Sequence, residues 1–183
     1  MRPDAEGASG TVTVETAGPH GMVTVRGDLT SSTLGEVVSE ITGIAVPGRG
    51  EARFEDAYGI LWMAPDELLV FCPYGEVAES VTKMEAGLEG LHVLVADVSD
   101  ARSVFTVSGA GIRDVLAKLT PADVSPEEFG IGMVRRSRLA QIPAAFWLRD
   151  GATVTVICFR SVAGYALDLL STAATPGSEV RYF

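Results

Sequence analysis

Arg135-Arg136-Ser137-Arg138 is the dense cation cluster of this sequence. Guanidinium groups packed this closely can grip a phosphate, a carboxylate or an acidic protein surface. The same residues can instead blunt the exposed edge of a strand. A partner surface and a protected edge are equally favoured, and a phosphate site less so. Ser108-Gly-Ala-Gly-Ile-Arg-Asp114 has the first two glycines of a dinucleotide loop, but Asp114 replaces the third. A carboxylate there would compete with a pyrophosphate at the helix N-terminus, so the segment reads as a plain strand-to-helix turn. Asp97, Asp100 and Arg102 gather around Ser99. Such a group makes an ion pair or turn network more often than a catalytic acid. There is no Gly-x-Ser-x-Gly elbow, and neither His20 nor His92 neighbours a nucleophile in sequence. Cys72 and Cys158 each end an apolar run and read as buried, inert thiols. Two cysteines and two histidines do not make a zinc site. Trp62 and Trp147 flank β-rich runs as core or interface anchors.

The elements that must position these residues follow from composition and period. The chain has 183 residues, 47% of them hydrophobic and 21% charged, enough to fill a core. Its net charge of −10 repels phosphate backbones, so no nucleic-acid partner is expected. No apolar run is long enough to cross a membrane, and Met1 to Gly7 lacks a secretory core. A cytoplasmic protein with no membrane partner is the expectation. Arginine outnumbers lysine twelve to two, which leaves no lysine-rich patch.

Residues 1–10 read as a loose tail. Beyond them, strand patterns lead repeatedly into helical stripes. Met22 to Arg26 precedes a stripe of Leu34, Val37, Val38 and Ile41, with N-cap candidates between Asp28 and Ser32. Leu68 to Cys72 precedes Val77, Val81, Met84 and Leu88. Ser103 to Val107 precedes Ile112, Val115, Leu116 and Leu119, with Ser108 as the expected N-cap. Val154 to Phe159 precedes Val162, Tyr165, Ala166, Leu169 and Leu170, with Ser161 expected to cap. Further β-rich runs lie at 52–54, 59–63, 93–98 and 133–147. Several lie too close for the crossover of about a dozen residues that parallel strands need. The pattern therefore predicts an α+β fold with a mixed, largely antiparallel sheet and helices on one face. Residues 11–183 read as one domain of two pseudo-repeated halves.

Several ordered motifs carry a family resemblance. They include Trp62-Met-Ala-Pro-Asp-Glu-Leu-Leu69, Ala96-Asp-Val-Ser-Asp-Ala-Arg102, Val107-Ser-Gly109 and Val115-Leu-Ala-Lys118. Ala122-Asp-Val124, Phe129-Gly130, Gly132, Arg138-Leu-Ala140 and Phe159-Arg-Ser-Val-Ala-Gly-Tyr165 follow in order. Together they resemble the gamma subunit of heterotetrameric sarcosine oxidase, over roughly residues 58–175. That family in turn resembles the folate-binding domain of the glycine-cleavage aminomethyltransferases. The transferases carry a pair of acids before a leucine where this chain has Ser137-Arg138 before Leu139. An arginine cannot serve as the carboxylate base. The resemblance thus implies a folate-enzyme fold without its chemistry, in a non-catalytic subunit. It implies alpha, beta and delta partner subunits, with FAD, FMN, NAD, tetrahydrofolate and zinc held outside this chain. Arg135, Arg136, Arg138 and Arg160 are the candidate partner contacts. The alternative is a free-standing folate-binding or aminomethyltransferase-like protein.

Overall fold

Alternating apolar residues and capped helical stripes become ten strands and four helices in the computed structural model, which describes residues 12–178 and residue 180. In chain order they are β1 (Thr13–Thr16), β2 (Gly21–Arg26), α1 (Ser32–Thr42), β3 (Ala52–Glu55), β4 (Tyr58–Ala64), β5 (Glu67–Cys72), α2 (Val77–Gly87) and β6 (Leu94–Asp97). Then come β7 (Arg102–Ser108), α3 (Ile112–Leu119), β8 (Val134–Leu139), β9 (Ile142–Asp150), β10 (Thr153–Phe159) and α4 (Ala163–Ala173). The expected tail, residues 1–10, lies outside the described residues.

The chain divides into two compact units. One, residues 19–102 with 132–134, holds a sheet in the order β3-β4-β5-β2-β6. Its β2·β5, β2·β6, β3·β4 and β4·β5 ladders are all antiparallel. Alternate residues of β2 and β5 (Val23, Val25, Leu68, Val70) form a core with Leu34 and Val38 of α1 and Met84 of α2. Burying each such side chain stabilises the fold by about 1.5–3 kcal/mol. Ser31 caps α1, its Oγ accepting from the Leu34 amide at 3.4 Å. Gly43 ends that helix at φ +74°, a backbone conformation that glycine adopts without strain, and donates to the Ser39 carbonyl at 2.8 Å. Residues 132–134 run beside the start of β3, with Ala52 N–H donating to Gly132 O at 2.7 Å and Val134 N–H to Gly50 O at 2.8 Å.

The other unit contains residues 12–18, 103–131 and 135–178. Its sheet runs β1-β7-β10-β9-β8, and the β1·β7 and β9·β10 ladders are antiparallel. Ile112, Val115 and Leu116 of α3 are buried, as are Ala166, Leu170 and Ala173 of α4. Phe129, fully buried, meets Phe146 of β9 edge-on at 5.5 Å.

The two sheets follow one plan. The order strand, helix, three strands, helix is β2-α1-β3-β4-β5-α2 in one and β7-α3-β8-β9-β10-α4 in the other. The outer strand beside β2 is β6, which follows α2; the outer strand beside β7 is β1, from the start of the chain. Cys72 and Cys158 each stand at a strand end before a 3-10 turn and an 11-residue helix.

Two expected caps are corrected. Ser108 is the last residue of β7, and Gly111 stands at the N-cap of α3 without a side-chain bond. Ser161 lies inside the 3-10 turn Arg160–Val162, and Val162 precedes α4. A hydroxyl reaches the first-turn amides only from the N-cap position itself. The run 133–147 is two strands, hinged at Ala140 with φ +50°.

Candidate functional site

Asp97-Val-Ser99 carries a hydrogen-bond latch that is buried at Ser99. Asp97 Oδ1 accepts from the Ser99 amide at 2.9 Å and from the Ser99 hydroxyl at 2.5 Å. The same hydroxyl oxygen accepts from the amide of Met22 at 2.9 Å, and Met22 O accepts from Val98 N–H at 2.8 Å. Ser99 is thereby committed to tying the end of β6 to β2, where an unpartnered amide would be costly. Asp100 is exposed and accepts from the Tyr74 hydroxyl at 3.2 Å. Asp97, Ser99 and Asp100 thus form a turn network.

The Ser108–Asp114 turn spends its first amide on structure, since Gly109 N–H donates to Ala152 O at 2.8 Å. Arg113 turns back to the following loop. It donates to Val124 O at 2.6 Å and Phe129 O at 3.0 Å, and its guanidinium lies 5.9 Å from the Phe129 ring. Nothing in the spacing announced this role, because its acceptors are backbone carbonyls far along the chain.

The four candidate contact arginines separate. Arg135 donates to Glu128 O and lies 5.5 Å from the Phe129 ring, so it helps hold the same loop. Arg136 and Arg138 are exposed at alternate positions of β8, hence on one face of an edge strand. Ser137, between them, accepts from the Thr120 hydroxyl at 3.2 Å. Arg160 is exposed at the corner between β10 and α4. Phe159, next to it in the chain, is 48% exposed and Tyr165, in the first turn of α4, 47%, unusually open for aromatic side chains.

Of the remaining candidates, all but His92 sit as packing groups. Cys72 and Cys158 are buried, and burial pushes both thiols up in pKa, partly offset at Cys72 by a hydrogen bond with Ser80. His20 packs edge-on to Phe71 at 5.9 Å, and His92 is exposed. Trp62 lies under the Arg49 guanidinium at 6.0 Å, and Trp147 is buried opposite Thr155. Among the described residues no group of three His, Cys, Asp or Glu is placed to hold a metal. No helix among them is long and apolar enough to cross a membrane. Besides Arg113, two contacts were not anticipated from the sequence. Tyr58 donates to Glu76 at 2.5 Å, which, with burial and nearby acids, pushes the phenol up to about 12. Lys118 reaches Ala173 O at 2.7 Å; its place in the last turn of α3 was the available signal.

The chain has relatives both by sequence and by fold. The chain is 39% identical over 88 residues to a sarcosine oxidase subunit gamma of Corynebacterium sp. (strain P-1), covering 48% of this chain and 42% of that one. It spans about half the length of the curated relatives it matches. Among solved structures it resembles a chain of the heterotetrameric sarcosine oxidase of Corynebacterium sp. U-96 in complex with pyrrole 2-carboxylate. That likeness has a TM-score of 0.85 and 24% identity, over 98% of this chain and 93% of that one. The glycine-cleavage aminomethyltransferase T of Bartonella henselae shares the fold at a TM-score of 0.64 and 14% identity, over 88% of this chain and 45% of that one. These likenesses bear out the expected α+β, aminomethyltransferase-like fold. Residues 26–175 match the model of the sarcosine oxidase, gamma subunit family, and the chain belongs to that family.

Proposed function

We propose that this chain is a non-catalytic subunit of a heterotetrameric sarcosine oxidase, packed against its alpha, beta and delta subunits in the cytoplasm. In this reading the assembly converts sarcosine, tetrahydrofolate and oxygen to glycine, methylene-tetrahydrofolate and hydrogen peroxide. FAD, FMN, NAD, tetrahydrofolate and zinc are held by the other subunits or at their interfaces. Beyond family membership, the observation that carries the proposal is the corner between β10 and α4. There Phe159 at the end of β10, Arg160 in the turn and Tyr165 in the first turn of α4 are all exposed. Aromatic and arginine side chains together are the usual anchors of a protein interface. Arg136 and Arg138 offer a second cationic contact on the edge strand β8. Arg135, half-buried beside them, joins them in this proposal.

The test is co-expression with candidate flavoprotein subunits, followed by co-purification and a sarcosine-dependent peroxide assay. A chain that stays monomeric, while the assembly lacking it is fully stable and active, overturns the reading. The shared fold with an aminomethyltransferase supports the competing proposal of a free-standing folate-binding or aminomethyl-transferring protein. Saturable tetrahydrofolate binding by the isolated chain would favour it.

A further inference from the structure

The two helix pairs finish the same junction with opposite charges. In the pair α3 and α4, Lys118 sends Nζ to Ala173 O at 2.7 Å and to Ser178 Oγ at 2.8 Å. Its ammonium therefore sits at the C-terminal end of α4, where helix carbonyls concentrate partial negative charge. In the other unit α1 and α2 hold the same places in the plan. Leu34, Val38 and Thr42 of α1 are buried at the spacing of buried Ile112, Leu116 and Thr120 of α3 and its cap. That register puts Glu40 where the other pair has Lys118. The equal 11-residue lengths of α2 and α4 put Gly87 where the other pair has Ala173.

A carboxylate thus replaces an ammonium beside a helix end, and α2 has no basic residue in its own last turn. The place is open. Val37, Glu40, Ile41, Lys83, Ala86 and Gly87 line a groove of about 450 Å³. Lys83 on its rim is engaged by Glu79 at 2.7 Å, one turn back along α2. Gly87 keeps the two helices close, since a Cβ there would stand 2.9 Å from Val37 Cγ2. Val37, Ile41 and Ala86 give the groove an apolar wall suited to a methylene stem, while Glu40 and the C-terminal end of α2 favour a cation.

We propose that this groove receives a lysine side chain of a partner subunit, whose ammonium pairs with Glu40 as Lys118 serves α4 in the other helix pair. The inference rests on the subunit reading above. Its test is carbodiimide coupling, which joins a carboxylate to an amine in contact with it, on the co-purified assembly. Peptide mass spectrometry should find Glu40 linked to a lysine of another subunit. E40K should weaken assembly about tenfold through like-charge repulsion, while slightly raising the Tm of this chain by supplying α2 with its own cap. K118M should lower Tm and leave assembly affinity unchanged. If E40K assembles like the wild type and Glu40 forms no link outside its own chain, the inference is overturned and the subunit reading stands. A Glu40–Lys83 link in a covalent dimer would identify a second copy as the occupant, and would also overturn it. A wild-type chain that joins no flavoprotein subunit overturns the subunit reading itself, and this inference with it.

Discussion

Ser99→Ala tests whether the Asp-Val-Ser motif is a structural latch. Ser99 is 3% exposed and Met22, whose amide it accepts, 1%. Removing the hydroxyl leaves that amide buried without its partner, which costs about 1–3 kcal/mol. Asp97 loses one donor but keeps the Ser99 amide at 2.9 Å and is itself exposed, so its share is small. The sum is a loss of about 2 kcal/mol, or a Tm lower by about 4–8 °C in a chain of this size. Urea unfolding should show a lower midpoint at unchanged slope. Asp97→Ala should cost less, because Ser99 can still accept from Met22. The double variant should cost less than the sum of the two, since Asp97 acts partly by orienting Ser99. A Ser99→Ala chain within about 0.5 kcal/mol of wild type would refute the latch.

Three further outcomes are expected. Arg135→Ala should lower Tm by loosening the Phe129 loop, whereas the R136E/R138E double variant should leave Tm unchanged and weaken co-purification with partner subunits. Tyr58 should resist ionisation until about pH 12 in an ultraviolet titration, against an ordinary value of 10.0. The neutral phenol is the form that bonds Glu76, so this contribution to stability is complete below pH 10 and fades as pH rises towards 12; Glu76→Gln should move the titration back down. Gly21→Ala should destabilise by about 1–3 kcal/mol. Its Cβ would stand 2.6 Å from Cys72 Sγ and 2.9 Å from Cys72 O, and the backbone carbonyl has little room to move.

Local periodicity made the framework legible in the amino-acid sequence. The stripes at Leu34–Ile41, Val77–Leu88, Ile112–Leu119 and Val162–Leu170 became α1 to α4, because residues three and four apart share one helix face. In the last stripe, however, Val162 falls in the turn before α4 and Tyr165 is exposed. The short gaps between β-rich runs announced antiparallel pairing for the same local reason. β1 was not legible, since Thr13–Thr16 is a strand through its ladder with β7, nearly 100 residues away. Nor were the caps at Ser108 and Ser161, where one residue of offset places a hydroxyl out of reach.

The sequence by itself determined the class of fold, the family and the scarcity of reactive groups. Those rest on composition and on ordered motifs, which need no coordinates. Tertiary structure decided what each arginine does. Arg113 and Arg135 turn inward to carbonyls and the Phe129 ring, while Arg136, Arg138 and Arg160 stay exposed. All five carry the same charge, and only the distance to a folded-back loop separates them. The contrast of Lys118 with Glu40 is of the same kind. It emerges once both helix pairs are placed in one register, because a hydrogen bond to a distant helix end leaves no period in the chain that makes it.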